Sequence, residues 1–195
     1  MGRCIELASK NIGYTYPNPL VGSVIVCDNK IIGEGSHEKY GESHAEVNAI
    51  NSVEDKRLLK NSTLYVNLEP CNHYGKTPPC TEAIINNNIK KVVIGSQDPN
   101  KLVSGSGIEK LRSSGCNVSV GVMDKECDKL NKRFFTYHKL KRPFIILKWA
   151  ETKDGFISPT KSVNTLKKVN WISGEDAKKL SHKWRSEEHS ILVGV

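Results

Sequence analysis

Apolar positions along the chain switch repeatedly between two periods, and the switching predicts a layered α/β domain. Residues 3–12 carry Cys4, Leu7, Ala8 and Ile12 at helical spacing, and Gly13 follows as a stop. Tyr14 to Pro19 cannot continue that helix, because Pro17 and Pro19 lack amide donors. Leu20 to Cys27 is β-branched and reads as a buried strand; Asp28-Asn29 reads as a hairpin turn, with Lys30 to Gly35 returning as the second strand. Ala45, Val47, Ala49, Ile50 and Val53 give residues 44–53 an amphipathic helix. Ser62 to Leu68 is a third strand, Thr81 to Asn88 a helix, Lys90 to Gly95 a fourth strand, Gly107 to Ser114 a helix and Asn117 to Val120 a fifth strand. The order is ββαβαβαβ.

Residues 124–140 read as a connecting helix, with Cys127, Leu130, Phe134 and Tyr137 on one face. Arg142-Pro143 breaks it, and Phe144 to Trp149 reads as a new strand, so a domain boundary is expected near residue 142. The segment 143–195 ends in a strand-like run, Ser190 to Val195, and is too short for a core of its own, so the chain reads as truncated.

Composition narrows the class. The chain has 195 residues, 37% hydrophobic and 26% charged, as in soluble globular proteins. It contains no apolar run near the roughly 20 residues of a membrane span and no signal-peptide stretch, so a cytoplasmic protein without a membrane partner is expected. In that compartment its six Cys read as metal ligands or buried thiols rather than disulfides. The net charge of +8 suits nucleic acid or an anionic small substrate. The Lys residues are scattered without interleaved aromatics, which favours a solvated cationic surface and no nucleic acid.

The candidate chemistry is His44-Ala45-Glu46, followed by Glu69-Pro70-Cys71 and Cys80. One His and two Cys supply three ligands for a tetrahedral Zn²⁺, leaving one position for water, and a nearby non-ligand carboxylate marks a catalytic rather than a structural site. Zinc deaminases carry His-x-Glu followed by Pro-Cys-x-x-Cys, with the Glu as general acid/base; here the second spacing is Cys-x₈-Cys. The bland reading of Glu46 is a capping box with Ser43, which would make Ser43 the N-cap and put His44 in the first helical turn. Thr77 can cap the next helix with Pro78 in its first turn, placing Cys80 where a thiolate is favoured. Cys4, Cys27, Cys116 and Cys127 fall on apolar faces and read as structural.

Three longer runs, Tyr14 to Gly22, His37 to Glu46 and Glu69 to Cys80, together resemble the bifunctional riboflavin-biosynthesis deaminase–reductase family. Asp98-Pro99-Asn100 with Gly105 to Ile108, Lys148-Trp149-Ala150, Asp154-Gly155 and Trp171-Ile172-Ser173 add to the resemblance. It implies a cytidine-deaminase-like three-layer α/β domain with a mixed central sheet over residues 1–142, a zinc-dependent deaminase. Residues 143–195 would be the truncated start of a dihydrofolate-reductase-like reductase domain. The implied reaction is hydrolytic deamination of 2,5-diamino-6-ribosylamino-4(3H)-pyrimidinone 5′-phosphate to 5-amino-6-(5-phosphoribosylamino)uracil; the full-length protein would also reduce the ribose with NADPH. By the same resemblance His44, Cys71 and Cys80 hold zinc and Glu46 shuttles protons. Asn18, His37, His73 and Lys76 contact substrate, as does Arg185, and Ala150 and Trp171 touch NADPH. Glu151-Thr152-Lys153 ahead of Asp154-Gly155 replaces the family's usual small-Ser-Leu, Val169 stands where a hydroxyl is common, and no reductase activity is expected of this chain. Rival readings are a cytidine or tRNA adenosine deaminase, a deaminase-like scaffold with structural zinc and His73 as a fourth ligand, and a non-catalytic zinc-stabilised nucleic-acid-binding module. A homo-oligomer is possible on any of them.

Overall fold

The computed structural model describes residues 1–100, 103–157 and 171–193. It divides into two units, Met1–Phe144 and Ile145–Val195.

In the first unit α1 (Gly2–Ser9) leads into β1 (Gly22–Cys27) and β2 (Lys30–Ser36). Asp28 and Asn29 between them have φ of 47° and 60°. Two successive left-handed residues make the tight turn whose twist matches a hairpin, and Asp and Asn tolerate that region best after Gly. Then follow α2 (Ala45–Ser52), a 3₁₀ turn at Lys56–Asn61, β3 (Thr63–Leu68), α3 (Cys80–Asn86), β4 (Lys91–Ser96), α4 (Ser106–Ser113) and β5 (Asn117–Val120). The sheet order is β2-β1-β3-β4-β5. β1 runs antiparallel to β2 and β3, whereas β3, β4 and β5 are parallel. The sheet is therefore mixed, and α3 and α4 are the crossovers that its parallel half requires.

Helices α2, α3 and α4 cover one face, and α1 and α5 (Asp124–Leu130) the other. Covering both faces explains why β1 is buried at nearly every position instead of alternating. The core under α2–α4 is built from Ile25, Ile50, Leu64, Val66, Ile84, Ile94 and Leu111. Helix α2 lies unusually close to the hairpin. A Cβ on Gly35 would sit 2.3 Å from the Ala49 nitrogen and 2.6 Å from the Ala45 oxygen, so no larger residue fits there. That depth fixes where the first turn of α2 emerges.

The expected connecting helix is two helices, α5 and α6 (Lys132–Leu140), broken at Asn131. Nor do they merely connect: α5 packs on β4, β3 and α1. The break changes the phase of the apolar face. Cys127 is buried as expected, but Phe135 is buried in α6 while Tyr137 is 57% exposed. The cause is tertiary. The Asn131 Oδ1 accepts from the Leu20 amide at 2.7 Å, and its Nδ2 donates to the Leu20 carbonyl at 2.9 Å. Asn67 donates to the same carbonyl at 2.9 Å and accepts from the Gly22 amide at 2.7 Å. Two buried asparagines thus tie down the segment that precedes β1.

In the second unit α7 (Glu175–Ser186) is the single regular element among the described residues, and it buries none of its side chains. The strands expected at Phe144 to Trp149 and at Ser190 to Val193 do not form. A strand needs a neighbour for its amides and carbonyls, and among the described residues none pairs with these. Leu147 is accordingly 79% exposed. Val169, Gly194 and Val195 lie outside the described residues. No helix of the described residues is long and apolar enough to cross a membrane.

Candidate active site

Two loops leave the sheet, after β2 and after β3, and meet at one point. His44 ends the loop after β2 and is itself the N-cap of α2, with φ −75° and ψ 161°. The Asn48 amide closes the first turn on the His44 carbonyl at 3.0 Å. This corrects the expected Ser43 cap. The extended backbone keeps the imidazole outside the helix, and no side chain caps α2, so Glu46 is not part of a capping box. Cys71 lies just beyond β3. Cys80 is the first residue of α3, after Pro79 as N-cap. That corrects the Thr77 cap: a residue before proline avoids helical geometry, so Pro78 cannot start the helix. The Cys80 amide donates to the Cys71 Sγ at 3.3 Å, and the Thr81 amide to the Cys71 carbonyl at 3.2 Å.

The His44 Nδ1 lies 3.5 Å from the Cys71 Sγ and 3.3 Å from the Cys80 Sγ. Zinc bonds of about 2.3 Å to sulfur and about 2.0–2.1 Å to nitrogen at tetrahedral angles imply N···S edges of about 3.5 Å. The donor set therefore fits a zinc ion in both chemistry and spacing. Among the described residues the cluster comprises these three side chains, with ligand atoms within 4.8 Å of one another, and does not include His73. A fourth protein ligand, which a closed structural site requires, is not part of it.

The electrostatics suit a metal as well. Donation from the Cys80 thiol, with help from His44, holds the Cys71 thiol far below its ordinary value, while the proton-sharing Cys80 is pushed up. His44 is raised, chiefly by its bond to Cys71. Glu46, in the first turn of α2, is 3% exposed. Burial, reinforced by the Cys71 charge, pushes its carboxyl up to about 7. A carboxyl near neutrality can both take and return a proton.

The cavity in front of this cluster has a volume of about 570 Å³. Asn18, His37, His73 and Lys76 all line it, together with Glu46 and two residues of the cluster, His44 and Cys71. His37 is spent within the protein. Its Nδ1 faces the Ser43 carbonyl at 3.1 Å, an acceptor only, so it carries the proton, and Nε2 accepts from the Asn18 Nδ2 at 3.0 Å. Burial lowers the His37 pKa and favours this neutral form. His37 thereby orients Asn18. Ala150, Trp171 and Arg185 lie in the second unit. Trp171 is 64% exposed with the Lys178 Nζ 4.4 Å from its ring centroid, and Arg185 is exposed in the last turn of α7.

Several cavity residues escaped the sequence reading of the site. The Glu69 carboxylate is buried and accepts four backbone amides: Asp98 at 3.1 Å and Gly105 at 3.0 Å on Oε2, Gly107 at 3.0 Å and Ile108 at 3.3 Å on Oε1. It anchors the loop that brings Asp98, Asn100 and Val103 to the cavity wall. The signal was the Gly105-Ser106-Gly107 run: a Cβ on Gly107 would lie 2.0 Å from the Pro70 oxygen, so only glycine lets the loop approach. Burial raises the Asp98 carboxyl. Phe134 and His138 reach the cavity from α6, and the Asn131 break that places them left no local trace.

Residues 1–96 match the family model described as the cytidine and deoxycytidylate deaminase zinc-binding region. The riboflavin biosynthesis protein RibD of Aquifex aeolicus is 49% identical over 195 residues, covering 100% of this chain and 53% of that protein. A diaminohydroxyphosphoribosylamino-pyrimidine deaminase of Buchnera aphidicola is 55% identical over 135 residues, which are 69% of this chain and 90% of that one. A solved diaminohydroxyphosphoribosylaminopyrimidine deaminase/5-amino-6-(5-phosphoribosylamino)uracil reductase of Thermotoga maritima superposes with a TM-score of 0.84 at 47% identity, over 94% of this chain and 51% of that chain. The chain thus spans about half the length of the two longer relatives.

Proposed function

This chain belongs to the family of RibD and the diaminohydroxyphosphoribosylamino-pyrimidine deaminases and has their cytidine-deaminase-like fold, and we propose that its first unit deaminates 2,5-diamino-6-ribosylamino-4(3H)-pyrimidinone 5′-phosphate to 5-amino-6-(5-phosphoribosylamino)uracil. The observation that carries the reading is the His44–Cys71–Cys80 cluster with its tetrahedral N···S edges beside the buried Glu46. When bound there, zinc would supply Lewis-acid activation of a water molecule.

The rest is the work of the chain's own side chains. Glu46 takes the proton of the attacking water on its carboxylate and passes it to the ring nitrogen. It then takes the proton of the new C2 hydroxyl and delivers it to the 2-amino group, which leaves as ammonia as the C2 carbonyl forms. The amide of Asn18, aimed by neutral His37, is donor and acceptor at once and reads an edge of the pyrimidine ring. His73 and Lys76 face the cavity from the Cys71–Cys80 loop and receive the ribose 5′-phosphate.

The second unit is the beginning of a dihydrofolate-reductase-like domain on this reading. Ala150 and Trp171 would face NADPH, and Arg185 the substrate, in the whole protein. The test is ammonia release from the diaminopyrimidinone ribotide by zinc-loaded protein, with cytidine as control. Turnover of the ribotide alone supports the reading. Turnover of cytidine alone would hand the chain to a different deaminase class.

A further inference from the structure

Lys76 is the single Lys or Arg among the described residues lining the cavity, whose wall also includes Glu42, Glu46, Glu69 and Asp98. An anionic substituent entering so acidic a cavity has one strong cation to meet. The side chain carrying that cation is long, sits in an exposed loop, and would by itself sample many rotamers. The structure shows it held. The Lys76 Nζ lies 4.1 Å from the centroid of the Tyr40 ring. Gly41, next to Tyr40 and with φ of +89°, lies directly against it: a Cβ there would be 3.6 Å from the Lys76 Cδ and 3.7 Å from its Nζ. Tyr40 comes from the loop after β2 and Lys76 from the loop between Cys71 and Cys80, and both line the cavity. The two loops are thus joined by a ring face and an ammonium.

We propose that Tyr40 is a positioning residue, whose ring face holds the Lys76 ammonium in place to receive the substrate's phosphate. An ammonium over a ring keeps its N–H donors free at the edge, so the contact need not break when the anion arrives. Ordering the lysine beforehand reduces the entropy lost on binding. The effect falls on affinity for the phosphorylated part of the substrate and leaves the proton transfers at Glu46 alone. The proposal rests on the deaminase reading for its substrate, and its test separates the two.

Four versions of the full chain are compared: wild type, Tyr40→Phe, Tyr40→Leu and Lys76→Met, together with the Tyr40→Leu/Lys76→Met double variant. Substrates are the ribotide and its dephosphorylated riboside. In Tyr40→Leu, KM for the ribotide rises about two- to fivefold, the equivalent of an exposed cation–π contact. Its kcat and its KM for the riboside stay at wild-type values. Tyr40→Phe, which keeps the ring, behaves as wild type. In the Lys76→Met background Tyr40→Leu has no further effect. Binding of ribose 5-phosphate, read by NMR titration, is measured alongside. If the wild type binds ribose 5-phosphate more tightly than Tyr40→Leu yet turns over neither substrate, the deaminase reading fails and the positioning role stands. Turnover with an unchanged Tyr40→Leu KM, or an equal rise for ribotide and riboside, overturns the positioning role alone. Neither turnover nor binding overturns both.

Discussion

Replacing Glu69 by Gln exchanges one oxygen for an NH₂ group, removing one negative charge and one acceptor, and the structure makes that change costly. The wild-type carboxylate accepts four backbone amides, two on each oxygen. Glutamine keeps one acceptor oxygen. Its NH₂ then confronts either the Asp98 and Gly105 amides or the Gly107 and Ile108 amides, donor against donor. Each buried donor left without a partner costs about 1–3 kcal/mol. Two of them cost about 2–6 kcal/mol, and partial lifting of the loop into water brings the expected loss to about 2–4 kcal/mol. The assay is urea unfolding followed by the circular dichroism of the sheet, with wild type and variant compared at equal m-value. Hydrogen exchange at Gly105 to Ile108 should show the loss concentrated there. A Glu69→Gln midpoint that converts to less than about 0.5 kcal/mol, the scale of an ordinary surface change, would refute the view that this carboxylate anchors the loop.

Three shorter predictions follow from the same geometry. Glu46→Gln should lower ribotide turnover by about 10²–10⁴-fold, the usual worth of a general acid/base, while zinc content by atomic emission stays at one per chain; retained turnover would remove Glu46 from the chemistry. Gly35→Ala should destabilise the protein by more than the about 1–3 kcal/mol of ordinary overpacking, because the added carbon meets backbone rather than a yielding side chain, and a thermal midpoint within one degree of wild type would contradict the packing. The Arg3 guanidinium bonds both oxygens of Glu34 at 2.8 Å and holds its carboxyl below the usual range. A lowered folded value stabilises above the unfolded value of about 4.3 and is lost as pH falls through the folded one. The stability gap between wild type and Arg3→Met, read by urea midpoint, should therefore be wider at pH 7 than at pH 3; an equal gap would show that the pair contributes through packing alone.

Local rules accounted for the elements whose partners are local. Asp28 and Asn29 announced their hairpin because two left-handed residues are needed there and these tolerate that conformation. His44, Cys71 and Cys80 were legible from ligand chemistry, and Asn18, His37, His73 and Lys76 were legible from the family resemblance; all four line the cavity. What local rules missed depends on distant contacts. Asn131 interrupts an apolar stripe for the sake of a backbone 111 residues away, and nothing within its own window records that. His44 is a cap rather than a helical residue, because its backbone stays extended while its imidazole meets two thiols from elsewhere. Phe144 to Trp149 has the composition of a strand, but composition cannot supply the neighbour that makes a strand form.

The paired asparagines on Leu20 bear on how this gene can be cut. Residue 131 hydrogen-bonds to residue 20 through both the oxygen and the nitrogen of its side-chain amide, and residue 67 joins them. The beginning and the end of the first unit are thereby latched to each other, and the latch sits two residues from Asn18. A chain severed before Asn131 would leave the Leu20 amide buried without an acceptor and loosen the wall of the cavity. One severed after Phe144 would keep every link in that latch.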